Sequence, residues 1–215
     1  MKDERELQPG ISVHMMVKDP PLDRTTALVA YLLPHVSEVV IIDTGSSDVV
    51  LSAMNSWNYP NTAPVRVFSE TFVDFATTRN LGLLRHEYEW TLGLDPDELP
   101  SYEMMQHIKR VTSPEGMAEF PAAKGWVFWT YNWWEGALGP EMDYHWHTRL
   151  WKTKNSYLER PVHELVVVGN EPELQIRRST SLPYAPKQAY LIHSKSADEI
   201  RKADEMYHQM GEVSR

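Results

Sequence analysis

The chain has 215 residues, 42% apolar and 24% charged, which excludes disordered and fibrous classes and predicts one domain whose core buries about 70% of the unfolded surface. It has no cysteine, so disulfides, thiolate nucleophiles, cysteine-ligated zinc and iron–sulfur clusters are excluded, and any metal must sit on Asp, Glu or His. The net charge of -9 is unevenly placed, with 10 Lys/Arg against 21 Asp/Glu over residues 1–148 and 11 against 9 over 149–215, so a global nucleic-acid signature is missing.

The opening MKDERELQPG holds no apolar signal core, and no run approaches the roughly 18 apolar residues of a membrane helix, so a cytoplasmic location is expected. Ile11 to Lys18 is β-branched and apolar and stops at Asp-Pro-Pro; Glu38 to Asp43 (EVVIID) stops at Thr-Gly-Ser-Ser. Both read as buried strands. Thr25 to Leu33 has helical length and composition, and Ser46 or Ser47 is a suitable N-cap for a helix to about Ser56, with Asp48 suiting the positive end of the helix dipole. A strand at Val65 to Phe68, a helix from Ala76 to about His86 and a strand at Trp90 to Leu94 continue the alternation. An α/β fold with a mostly parallel sheet follows, its ligands collecting outside the carboxyl ends of the strands.

After about residue 120, Lys124 to Trp134, Trp146 to Lys152 and Val162 to Val168 are aromatic and β-branched with Gly and Pro between them, predicting added, largely antiparallel strands. Six of the eight tryptophans lie from Trp126 to Trp151, and in the run GWVFWTYNWW the aromatics fall on both alternating faces of a strand, so one face reads as core and the other as the border of a ligand cleft. The tail from Ser196 to Met210 reads as a helix with Ser196 and Glu199 as a capping box. Arg149, Lys152, Lys154, Arg160, Arg177 and Arg178 are the residues that could make a local basic surface.

Asp95-Pro96-Asp97-Glu98 follows the apolar WTLGL, placing two carboxylates at i and i+2 where a buried strand emerges. Such a pair can hold Mg²⁺ or Mn²⁺ and leave positions for phosphate oxygens; the bland reading is an acidic turn capping the next helix. His145 and His147 share a strand face but lack a third ligand, which favours packing over metal binding.

The strings ISVHMMVKD, EVVIIDTGSSD, FVDFATTRNLGL and EWTLGLDPDE, in that order, resemble the nucleotide-sugar-binding half of the inverting family 2 glycosyltransferases of GT-A fold, over about residues 11–100. RLWKTKNSYLERPVHE and YLIHSKS extend the resemblance more weakly. It implies a single GT-A domain: a donor half at 11–100, an acceptor and catalytic half at 120–195 and a C-terminal helix at 196–210. The implied donor is a nucleotide diphosphate sugar, a UDP-sugar first, with Mn²⁺ or Mg²⁺ as cofactor. Asp97 would bind the metal, Asp95 the ribose or the metal shell, and His193 would supply a further ligand. Asp43 would accept from the base or ribose, Arg79 would reach the nucleotide or diphosphate, and Lys18 and Asp19 would line the base pocket.

An inverting transfer needs one base beside the acceptor oxygen. Glu164 is the choice, and His163 stays open because related enzymes carry an Asp of a Glu-Asp pair where this chain has His-Glu. The chain is also similar to bacteriophage enzymes that glycosylate hydroxymethylated pyrimidines in DNA, which makes modified DNA one possible acceptor and the host cytoplasm the location of a viral member. A glycoside hydrolase using its carboxylates as acid and base, or a non-catalytic nucleotide-binding module, are the rival readings.

Overall fold

The computed structural model describes residues 4–134, 144–169, 171 and 172, and 183–195. The first half alternates as expected: β1 (Gln8–Val17), α1 (Leu22–Leu32), β2 (Glu38–Asp43), α2 (Asp48–Asn55), β3 (Val65–Ser69), α3 (Phe75–Leu83) and β4 (Tyr88–Gly93). There follow β5 (Glu98–Pro100), α4 (Tyr102–Val111), α5 (Pro114–Glu119), β6 (Gly125–Trp134) and β7 (Tyr144–Lys152). The last elements are β8 (Ser156–Glu159), β9 (Leu165–Val168), β10 (Glu171–Pro172) and β11 (Tyr190–Lys195).

Eight strands form one sheet in the order β3-β2-β1-β4-β7-β6-β11-β5, and β10-β9-β8 form a small antiparallel sheet. β3, β2, β1 and β4 pair in parallel, β7 is antiparallel to both β4 and β6, and β11 runs parallel to β6 and antiparallel to β5. All six residues of EVVIID in β2 are buried, as a strand covered by helices on both faces requires. The main core joins Val13, Met15, Val39, Ile41 and Leu92 of the sheet to Leu28 and Leu32 of α1 and Met104, Met105 and Ile108 of α4. Among the described residues no helix is long and apolar enough to cross a membrane.

The boundaries shift for local reasons. α1 starts at Leu22 with Pro21 as N-cap, since the fixed φ of Pro21 (-59°) leads directly into the first turn. The expected strand from Val162 begins only at Leu165, because Arg160 and His163 hold φ of 75° and 53°, outside strand geometry. α4 and α5 occupy a stretch left unassigned above. The expected helix over 196–210, and Arg177 and Arg178, lie outside the described residues.

α3 lies unusually close to the sheet. A Cβ on Gly82 would come 2.3 Å from His14 Cε1 and 2.6 Å from Ile42 Cγ1, so only glycine permits this approach. The approach carries Arg79, one turn earlier, to Asp95 just beyond the end of β4.

Candidate active site

Because β1, β2, β3 and β4 are parallel, their carboxyl ends share one edge, and the loops after them meet there. Asp19 and the β2–α2 loop are tied together: the Asp19 N–H donates to Ser46 Oγ (2.7 Å) and the Ser47 N–H to Asp19 Oδ1 (2.9 Å). Asp43 is fully buried and accepts from the N–H groups of Gly45 (3.2 Å) and Ser46 (3.1 Å). Its carboxylate shapes the Thr-Gly-Ser-Ser turn, in which Gly45 takes φ 111°. Ser47 is the N-cap of α2, while the Ser46 hydroxyl serves the neighbouring loop. Lys18 is exposed at the end of β1.

The four residues Asp95 to Glu98 close a hydrogen-bonded turn, the Glu98 N–H donating to the Asp95 carbonyl (3.0 Å) with Pro96 at its second position. This turn is not the cap of the next helix: Ser101 caps α4 by accepting from the Met104 N–H (3.0 Å). The Asp95 and Asp97 carboxylates are therefore held by the turn itself and by partners from elsewhere.

Those partners converge from four elements. Arg79 of α3 donates through one NH₂ group to Asp95 Oδ1 and through Nε to Glu164 Oε1 (2.9 Å). Arg149 of β7 pairs with Glu98, which is 2% exposed. His193 of β11 has Nε2 3.2 Å from Asp97 Oδ2 and Nδ1 2.9 Å from Asn132 Oδ1 of β6. Glu164 is carried there by contacts of α3: the Phe75 N–H donates to the Pro161 carbonyl (3.1 Å), and the Asn80 amide exchanges two hydrogen bonds with Leu158 (2.7 and 2.8 Å). The positive φ angles of Arg160 and His163 bend the chain between β8 and β9; His163 itself is exposed.

The structure thus brings Arg79, Asp95, Asp97, Glu164 and His193 together, and adds Glu98, Arg149 and Asn132, which the sequence reading did not assign. Asp43 and Asp19 organise the adjacent loops. The reason Arg149 reads from sequence as a surface cation and not as a member of this cluster is geometric: the β6–β7 register shifts between Trp126 and Val127, and Arg149 is the residue left without a partner across the ladder. Such a bulge re-aims a side chain that simple alternation places elsewhere. Arg149 thereby leaves the proposed basic surface.

The electrostatics are those of an acid-rich centre. Burial pushes the Asp95 carboxyl up, but Arg79 and then Arg149 outweigh it and hold the group well below the ordinary carboxylate range. Burial, reinforced by the charge of Asp95 and opposed by Arg149, pushes Glu98 up to about 7. Arg79 loses to burial but gains more from Asp95 and Glu164, and its pKa rises above the ordinary value. Four carboxyl groups (Asp95, Asp97, Glu98, Glu164), of which Glu98 is only partly ionised near neutral pH, face two guanidiniums, and a divalent cation would relieve the remaining excess of negative charge.

Among the described residues no three His, Asp or Glu side chains already converge as a preformed metal cage. The donor set nevertheless fits a hard cation that keeps positions for phosphate: a carboxylate oxygen and an imidazole nitrogen from Asp97 and His193, with Asp95 on the same turn. His147 is exposed on β7, and the side chain of His145 lies outside the described residues.

The aromatic run divides as its alternation implies. Trp126 and Phe128 pack edge-on against His107 of α4, with ring centroids 4.7 and 6.1 Å apart. On the other face Trp129 meets Trp146 (3.4 Å), and Trp146 meets Tyr184 (4.5 Å), which is 50% exposed.

No protein-family model matches the sequence, nor does any curated protein. Among solved structures the chain is similar to residues 1–349 of S. aureus TarS, with a TM-score of 0.55 at 15% identity, covering 93% of this chain and 63% of that one. The same fragment in complex with UDP gives 0.55 at 14% identity, covering 89% and 62%; its complex with UDP-GlcNAc gives 0.53 at 15%, covering 86% and 58%. This chain spans less than two thirds of that fragment's length. The likeness shows the fold, an α/β GT-A architecture with a large, mostly parallel sheet flanked by helices.

Proposed function

We propose that the protein is a metal-dependent, inverting glycosyltransferase that moves a sugar from a nucleotide diphosphate sugar to an acceptor hydroxyl. The observation that carries this reading is the convergence of Arg79, Asp95, Asp97, Glu164 and His193 at the carboxyl edge of a GT-A sheet. In the reaction the acceptor oxygen bonds to the anomeric carbon, the bond from that carbon to the diphosphate oxygen breaks, and the hydroxyl proton goes to a base.

Asp97 and His193 would hold Mn²⁺ or Mg²⁺, with Asp95 beside them, and the bound cation supplies Lewis-acid stabilisation of the departing diphosphate. Arg79 adds a fixed guanidinium at the same point, a planar donor suited to phosphate oxygens. Its Nε–H orients Glu164 through Oε1 and leaves Oε2 to take the acceptor proton. The loops at Lys18, Asp19 and Asp43 would frame the nucleoside, and the half-open ledge of Trp129, Trp146 and Tyr184 offers the acceptor an aromatic face.

The direct test is a donor panel. UDP-GlcNAc and UDP lead it, since the TarS fragment has been solved with both. Thermal-shift screening with Mn²⁺, followed by nucleotide diphosphate release in the presence of sugar, lipid, peptide and hydroxymethylcytosine-DNA acceptors, should give release that depends on donor and cation. Sugar release from a glycoside with no nucleotide requirement would replace this reading with the hydrolase.

The base assignment has its own expected outcome. Glu164→Gln lowers turnover by about 10²- to 10⁴-fold and spares donor binding measured by calorimetry. His163→Ala leaves turnover near wild type; the reverse pattern would move the proton to His163.

A further inference from the structure

We infer that Asn132 makes His193 a metal ligand by fixing which ring nitrogen carries the hydrogen; the inference rests on the reading of Asp97 and His193 as the residues that hold the cation. Asn132 is 7% exposed on β6, and the parallel register of β6 and β11 sets it directly opposite His193. Its Oδ1 lies 2.9 Å from His193 Nδ1. An amide oxygen carries no hydrogen, so the ring must donate from Nδ1.

The consequence falls on the other nitrogen. In the neutral ring the lone pair is then on Nε2, the atom 3.2 Å from Asp97 Oδ2. Nε2 and Asp97 Oδ2 then present electron pairs to one point, and a divalent cation can accept both at once. With the hydrogen on Nε2 instead, the ring would donate to Asp97 and keep no electron pair for a metal at that point.

The backbone leaves few other ways to adjust. The Ser194 N–H donates to the Asp97 carbonyl (3.1 Å), and Arg24 of α1 donates to the Ser194 carbonyl (2.7 Å), so the chain beside His193 is tied both to the acidic turn and to α1. What is left to set is the ring's tautomer, and Asn132 sets it. Partners of this kind typically matter by about 10–100-fold in metal affinity.

The test compares wild type with Asn132→Leu, which removes the acceptor at similar size, and Asn132→Asp, which retains it. Two quantities are read: Mn²⁺ affinity in the presence of UDP, from the electron paramagnetic resonance of free Mn²⁺, and the ring nitrogen shifts of His193 in metal-free protein at a pH where the ring is neutral. The expected wild-type ring is protonated at Nδ1. Asn132→Leu should weaken Mn²⁺ binding by about 10–100-fold and populate the Nε2–H form, whereas Asn132→Asp keeps both the tautomer and the affinity. Should the Leu variant fail to fold, the wild-type tautomer and the Asp variant still decide. An Nε2–H ring in wild type, or Mn²⁺ binding indifferent to the Leu change, overturns the inference alone. Wild-type protein that binds no Mn²⁺ overturns the ligand reading and this inference with it.

Discussion

Arg79 holds two carboxylates on one guanidinium, and this geometry makes it irreplaceable by another cation. Its Nε and one NH₂ group reach Glu164 and Asp95 in different directions, which a lysine ammonium on a flexible stem does not reproduce. Arg79→Met leaves Asp95 (32% exposed side chain) and Glu164 (18%) without their counter-charge; the cost, about 2–4 kcal/mol, sits below that of a fully enclosed pair because water still reaches Asp95. Arg79→Lys should cost only about 1 kcal/mol by urea denaturation yet lose UDP affinity at least tenfold by calorimetry. Undiminished UDP binding in the lysine variant would show that the fork is structural only. At this scale, residues whose neighbours in sequence made a pattern were legible: Asp95 and Asp97 at a strand end, His193 after an apolar triplet. Arg149 and Asn132 were not, because their roles come from a bulge and from pairing with a strand about sixty residues away, and neither leaves a local trace.

α3 is the element on which the site's precision depends. It carries Arg79, docks the Pro161 to Glu164 loop and rests on β1 and β2 through Gly82. Gly82→Ala drives a methyl into His14 and Ile42, which should destabilise the protein by about 1–3 kcal/mol, lowering Tm by roughly 2–4 °C for each. Because the helix must lift to relieve the clash, turnover should fall further than the stability loss alone explains. A variant with unchanged Tm and activity would mean that α3 does not need this close approach. Element existence was readable where apolar runs are long: β1, β2 and β4 are buried on both faces and announce themselves. α4 was readable in principle, with Ser101 as cap and Met104, Met105, Ile108 and Val111 at helical spacing. β8, of four residues with Leu158 its only buried one, carries too little pattern to be found alone.

The molecule as a whole places histidines where an apolar core would be expected, and this sets its response to acid. His14 of β1 lies 3.2 Å from His86, His86 lies 2.9 Å from Thr91 of β4, and Thr91 lies 2.9 Å from Thr153, so one buried polar chain crosses from β1 through β4 to the residue after β7. Burial above all holds His14 well below its ordinary value, with His86 and then Arg79 adding to the effect and Asp95 opposing it; burial, then Arg5 and Arg66, lower His86 to about 3. The folded protein therefore binds these protons less tightly than the unfolded chain. Their contribution to stability is complete above about pH 6.5 and is lost as pH falls toward the folded values, by about 1.4 kcal/mol per pH unit for each ring. Asp95 acts in the same direction at lower pH, its contribution disappearing only below the ordinary carboxylate range. In the same window Glu98, raised to about 7, acts in the opposite direction, and His107, lowered to about 4 by burial and then Arg110, adds to the fall. Urea titrations between pH 7.5 and 4.5 should thus show a net stability loss on the order of 3–5 kcal/mol below pH 6.5, and His86→Gln should lose less than wild type by about 1.4 kcal/mol per pH unit while preserving hydrogen bonds toward His14 and Thr91. Wild type and His86→Gln losing stability in parallel from pH 6.5 to 4.5 would mean that His86 is protonated in the fold, and the polar chain would then have to be redrawn as one that carries charge through the sheet.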